Sequence, residues 1–281
     1  IVFGDWSSDV CSSDLGFTPI SDTIGIFYRH RYCLQNFFTI PVGIEDQRIK
    51  QIVEISHQAK KGSGSRPKDS PIHIMYSGVL GPAYDFALLL KAVKLLSEKY
   101  YLRLTIRGNG PLKGYLENKI ASLGLNNIVL ETEYLSIEAL NEKLNSADIF
   151  ILPMKDNFIS KTALPTKLFE YMGSGKPIVV YGTGEPQNLI ENANAGVVCP
   201  NGSARDLADT IEQLIRQESN WHELGKNGLK YILTHYSSTS IGNYVEDMFT
   251  QLMAESTYLK RAQRLPSVDL KPILLNSPIK R

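Results

Sequence analysis

No apolar run in the 281 residues approaches the roughly 20 that a membrane-spanning helix needs, so no transmembrane segment is expected. Cysteine is scarce: Cys11, Cys33 and Cys199 are scattered and odd in number, which gives no disulfide framework and fits a reducing cytoplasm. The five histidines show no paired ligand spacing, so no protein-bound metal is expected either. Charge of one sign is missing as well. Thirty Lys and Arg against 29 Asp and Glu leave a net charge of +1, which argues against nucleic-acid binding by bulk electrostatics. Internal repeats and low-complexity tracts are absent. What remains is the composition of an ordinary soluble α/β protein, long enough for one large or two modest domains.

The opening has no basic stretch ahead of an apolar core, so it does not read as a signal peptide. Asp9-Val10-Cys11-Ser12-Ser13-Asp14-Leu15 reads as a translated sequencing adapter, and residues 1–15 are expected to contribute nothing to the fold. If so, an upstream domain is missing. Residues 37–45 predict a short strand closed by a Pro/Gly turn, residues 47–59 a helix, and residues 60–67 a flexible polar connector.

From Pro71 the pattern alternates. Strands are expected over 72–77, 102–106, 128–131, 147–153, 178–181 and 196–198. Between and after them lie helices over 85–100, 112–123, 137–145, 165–172, 187–194, 203–217, 221–234 and 237–253. Phe86, Leu89, Leu90, Val93 and Leu96 share one helical face, Ser136 is placed to cap a helix, and Ser203 and Asp206 stand at capping-box spacing. Such alternation predicts an α/β fold, a doubly wound parallel sheet of Rossmann-like type.

The most informative stretch is residues 162–180. Its short helix opens at Pro165 and is stopped by Gly173 and Gly175, and Pro177 leads into the buried strand. A helix start offers free N–H groups to an anion, and Lys167 and Glu170 lie about one turn apart. A cation for phosphate beside a carboxylate for sugar hydroxyls suits a nucleoside diphosphate. Other strand ends carry glycine where a ligand could come close: Gly78 and Gly81 in Ser77-Gly78-Val79-Leu80-Gly81-Pro82, and Gly108 and Gly110 in Arg107-Gly108-Asn109-Gly110-Pro111. Glu131-Thr132-Glu133-Tyr134-Leu135-Ser136 and Gly182-Thr183-Gly184-Glu185 follow later strands. All lie at the carboxyl ends of strands, where open parallel sheets bind ligands.

In this ordered set, from Pro71 to about Val198, the chain resembles the donor-binding half of GT-B glycosyltransferases of the family 4 type. Residues 165–171 match a Pro-Ser/Thr-Lys-Leu-x-Glu-Tyr form of that family's signature, and residues 37–45 are similar to the segment that leaves its N-terminal domain. The resemblance implies a GT-B C-terminal domain over 67–235, a remnant of the N-terminal domain and linker over 16–66, and a crossover helix with a basic tail over 236–281. It also implies transfer of a sugar from a nucleotide-diphosphate sugar to a glycan or lipid-linked acceptor, with retention and with no obligatory metal or other cofactor. Gly78, Gly81, Gly108, Gly110, Leu164, Pro165, Thr166, Lys167 and Glu170 are then the donor-binding residues, with acceptor-side groups in the missing half.

Two departures stand out. The first glutamate of the family's Glu-x7-Glu pattern falls at Thr162, and the Arg and Lys that many members carry after the first strand are replaced by Val79, Leu80, Tyr84 and Asp85. Phosphate charge must then be met by backbone N–H groups, by Lys167, by Lys161 or by the missing domain. A nucleotide-sugar 2-epimerase or a non-catalytic nucleotide-sugar-binding module on the same scaffold stays open as an alternative. The tail interleaves Lys260, Arg261, Arg264, Lys271, Lys280 and Arg281 with leucines, which raises a peripheral membrane contact, although Pro266, Pro272 and Pro278 favour a loosely ordered tail.

Overall fold

The computed structural model describes residues 18–32, 38–62 and 69–255. The expected adapter segment 1–15, most of the polar connector and the basic tail from residue 256 lie outside the described residues.

Helices α1 (Asp22–Tyr32) and α2 (Asp46–Gly62) precede an alternating succession: β1 (Ile72–Ser77), α3 (Phe86–Ser97), β2 (Leu102–Arg107), α4 (Lys113–Leu123), β3 (Ile128–Glu131), α5 (Ile137–Asn145) and β4 (Ile149–Pro153). Then come α6 (Phe158–Thr162), α7 (Lys167–Gly173), β5 (Ile178–Tyr181), α8 (Glu185–Ala193), β6 (Gly196–Cys199), α9 (Ala204–Arg216), α10 (Trp221–His235) and α11 (Ser238–Glu255). The strands form one sheet in the order β3-β2-β1-β4-β5-β6, every pairing parallel. Strands β4 and β5 are buried along their whole length, as strands covered by helices on both faces must be. Helix α3 meets α4 and α9, whereas α7 meets α2 and α10 and α2 also meets α5. The doubly wound sheet expected from the alternation is therefore present.

Local chemistry explains the element ends. Ser203 and Asp206 form the reciprocal capping box at the start of α9, Ser136 accepts from the Ala139 N–H at the start of α5, and Gly124 ends α4 in the left-handed conformation. All five residues expected on one face of α3 are buried.

Three expectations need correction. The described part of segment 37–45 forms no strand: Ile44 alone makes a parallel bridge, with Ser237. Its neighbour is the joint between α10 and α11, where the Ile44 N–H donates to Tyr236 O and the Ser238 N–H donates to Ile44 O. Helix α2 runs through Lys60 and Lys61 to Gly62, into the stretch read as connector. Helices α1 and α6 were not expected at all.

The described residues up to Ile241 form one compact unit, and those from Gly242 belong to a second. Among the described residues no helix is long and apolar enough to cross a membrane.

Candidate functional site

The strand order reverses between β1 and β4, so the chain winds outward in opposite directions from these two neighbours. In such sheets a crevice opens at the carboxyl ends of the strands at that point. The loops after β1 and β2 are stitched together there. The Gly78 N–H donates to Arg107 O at 2.9 Å, the Leu80 N–H to Asn109 O at 2.9 Å, and the Leu112 N–H to Leu80 O at 3.0 Å. Gly108, at φ +134°, is required by this closeness: a Cβ there would stand 1.8 Å from Gly78 O. Gly110 lies against Leu80 O in the same way, whereas Gly81 meets nothing closer than the Val79 side chain at 3.6 Å.

Lys167, at the start of α7, crosses the switch point. Its Nζ donates to Tyr76 Oη on β1 at 3.0 Å and to Tyr84 Oη, and lies 4.9 Å and 4.0 Å from the two ring centroids. The stem passes over Gly78, where a Cβ would stand 2.3 Å from Lys167 Cε. The structure thus joins Gly78, Gly108 and Lys167 into one cluster.

Glu170, one turn further on, points to a different set of side chains. Arg48 of α2 donates to its Oε1 through Nε at 3.1 Å and Nη2 at 2.9 Å, and reaches Asn141 of α5 through Nη1. A cavity of about 340 Å3 opens beside this pair, lined by Gly43, Ile44, Glu45, Arg48, Thr166 and Glu170. That volume is in the range of small-molecule sites. Leu164 and Pro165 are half-buried on the approach to α7, and Thr166 is exposed at its start.

Several groups singled out in the sequence already have partners within the chain. Helix α7 has only seven residues, and its Leu168 and Phe169 N–H groups donate to Pro165 O and Thr166 O. The Gly78 N–H is spent on the sheet, as described above. The N-terminus of α3 is capped by the Asp85 carboxylate, which accepts from the Leu88 N–H. Lys161 pairs with Asp156 at 2.5 Å. Thr162 is buried, its hydroxyl donating to Phe158 O at 3.0 Å. Glu185 accepts from the Thr23 backbone N–H and hydroxyl.

Burial of the ammonium holds Lys167 down at about 8, below its usual 10.5, with Glu170 pulling the other way. Between those two pH values the unfolded chain holds a proton that the folded chain has lost, so folded stability rises with pH across that window. Lys167→Met removes this contribution. In urea melts the parent should gain on the variant between pH 8 and 10.5, by no more than about 1.4 kcal/mol per pH unit. A difference that stays flat would show that the ammonium is not desolvated.

Sequence reading did not find Arg48, Asn141, Tyr76 or Tyr84. Tyrosine among the buried residues of β1, as at Tyr76, was an available signal, because a buried phenol needs a partner. Among the described residues no group of three or more His, Cys, Asp or Glu is arranged to hold a metal.

Comparison with known proteins gives this geometry its family. Over 185 residues the chain is 22% identical to an alpha-D-kanosaminyltransferase of Streptomyces kanamyceticus, a match covering 66% of this chain and 46% of that protein. The chain spans less than half the length of the curated relatives it matches. A glycosyltransferase from Rickettsia africae superimposes with a TM-score of 0.69 at 14% identity, over 91% of this chain and 69% of that one. The pneumococcal O-GlcNAc transferase in complex with UDP and GlcNAc superimposes with a TM-score of 0.62 at 17% identity, over 85% and 45%. These likenesses show the GT-B fold. Residues 58–231 match the family described as Glycosyl transferases group 1, well over half of the chain, and the protein belongs to that family.

Proposed function

We propose that this chain binds the donor of a glycosyltransferase: a nucleotide-diphosphate sugar whose sugar passes, with retention, to a glycan or lipid-linked acceptor. The observation that carries the reading is the reach of Lys167 across the switch point over Gly78, with Glu170 one turn away at the mouth of a cavity. Lys167 would neutralise charge developing on the departing diphosphate, a preorganised contact of the kind that lowers such barriers most. Glu170 would accept from the ribose hydroxyls while Arg48 occupies Oε1. Leu164, Pro165 and Thr166 shape the approach, and Gly78, Gly81, Gly108 and Gly110 form the floor. The pneumococcal relative's complex with UDP and GlcNAc supports a nucleotide-sugar donor.

Because the chain spans less than half of its curated relatives, the described residues are proposed to bind the donor without transferring sugar on their own. A cytoplasmic site of action, at or near the inner membrane face, belongs to the same proposal.

Calorimetry with UDP, ADP and GDP, each beside its nucleoside, tests the reading. At least one diphosphate should bind, and Lys167→Ala should weaken it about tenfold or more while leaving the nucleoside nearly unchanged. Equal losses for nucleoside and diphosphate, or no binding of any diphosphate, would sink it.

A further inference from the structure

Lys167 is the cation that the loop after β1 lacks, and its position rests on two phenols. We propose that Tyr76 and Tyr84 act as positioning residues, a neutral clamp that aims the Lys167 ammonium at the donor diphosphate and leaves donor affinity dependent on the protonation of that one lysine. The inference rests on the donor-binding reading and deepens it.

The clamp is rigid. Tyr76 packs edge-on to Phe86 with centroids 4.9 Å apart, Tyr84 packs on Tyr76 at 5.3 Å, and Tyr84 also meets Phe86 at 5.9 Å. The Tyr76 hydroxyl donates to Val79 O at 2.6 Å, so its single proton is committed and its lone pairs face Lys167 Nζ. Tyr171 Oη donates to Ser77 O and accepts from the Ser77 N–H, which pins the end of β1. An ammonium has three donors. Two go to the phenols, and the third is the one a phosphate oxygen would take.

The charges around Lys167 leave its own intact. Burial raises Tyr76, Tyr84 and Tyr171 above the usual phenol range, so none supplies a tyrosinate to cancel the ammonium. Glu170 on the same helix is the nearby anion, and Arg48 of α2 engages it. With the lysine titrating at about 8, the competent fraction falls from one half at that pH to about a tenth one unit higher, and apparent affinity falls with it.

The experiment measures UDP, ADP and GDP affinity from pH 6.5 to 9.5 for the parent, Tyr84→Phe, Tyr76→Phe and Lys167→Met. In parallel, the lysine titration is followed by carbon NMR of labelled ligand-free protein, with Lys167→Met assigning the signal. The Kd of the parent should rise about fivefold between pH 8 and 9, and the Lys167→Met profile should be flat there. Tyr84→Phe keeps the ring, so it should fold; it should weaken the diphosphate about threefold or more at pH 7.5, spare the nucleoside and displace the lysine midpoint. A flat parent profile overturns the proposal, as do Tyr→Phe variants that reproduce both the affinity and the lysine titration of the parent. If the parent binds no diphosphate, the donor reading falls, and with it the aim of the clamp. If diphosphate binds while Lys167 titrates as an ordinary lysine, the clamp falls and the donor reading stands.

Discussion

Gly108→Ala is expected to cost about 3 kcal/mol or more of unfolding stability, a large effect for the addition of one methyl group. Two independent penalties meet at this position. Its φ of +134° is a conformation in which a side chain is strained by roughly 1–3 kcal/mol. The new Cβ would also stand 1.8 Å from Gly78 O, and Gly78 is itself tied to the Gly108 loop by its own N–H donating to Arg107 O, so relief requires the two loops to part. Overpacking of that kind typically adds about 1–3 kcal/mol. Gly114→Ala is the natural control: it lies in α4 with nothing within 4 Å of the new atom, and should be neutral or stabilising by up to about 1 kcal/mol. Denaturant melts of the two variants compare them directly. A Gly108→Ala protein within 0.5 kcal/mol of the parent, the ~0.5 kcal/mol scatter of surface changes, would contradict the loop packing described here.

Glu170→Ala is expected to weaken the bound nucleoside diphosphate by roughly 10- to 150-fold, and to do so through the ribose. A carboxylate accepting from adjacent hydroxyls contributes roughly 1.5–3 kcal/mol for each charged hydrogen bond. The 2′-deoxy diphosphate should lose less, so the ribo-to-deoxy affinity ratio should fall toward one. Glu170→Gln keeps the shape and should cost less than Glu170→Ala. Arg48→Lys provides a second readout. It retains the charge but gives up the fork that holds Oε1 through two nitrogens, so the carboxylate should turn more freely and discriminate less. An unchanged ratio in Glu170→Ala would reduce Glu170 to a helix residue whose role is its ion pair with Arg48.

Much of this fold can be read along the chain. Strands β1, β3 and β5 coincide residue for residue with their expected spans, because short apolar runs bounded by Pro, Gly or charged residues leave little choice of ends. Helix α1 escaped notice for the opposite reason: its Ile26 and Phe27 are about half exposed, so no apolar stripe marks it. Helix α6, with five residues, is shorter than a helical period can reveal. Segment 37–45 carries strand-like residues but finds a helix joint instead of a sheet edge, a tertiary choice that local propensity cannot foresee. The site divides in the same way. Lys167 and Glu170 stand out within one motif, whereas their partners Tyr76, Arg48 and Asn141 come from elements far off in sequence, the Lys167–Tyr76 and Arg48–Glu170 pairs spanning 91 and 122 residues. A hydrogen bond between such positions leaves no local pattern.

The glycine N–H groups that extend the sheet bear on the thermodynamics of recognition. Gly78, Gly108 and Gly182 each donate to the residue at the end of the neighbouring strand, Arg107, Glu131 and Cys199, so the ladder continues one rung past β1, β2 and β5. At these three strand ends the backbone is thus already hydrogen-bonded into the sheet and is not free loop. Ordering a loop around a ligand consumes part of the gross interaction energy, and a floor already fixed in this way spares that loss. Binding here should then leave a small entropic penalty in the protein and a small change in amide exchange at these three glycines. Selectivity among sugars would fall to the side chains that project above the floor.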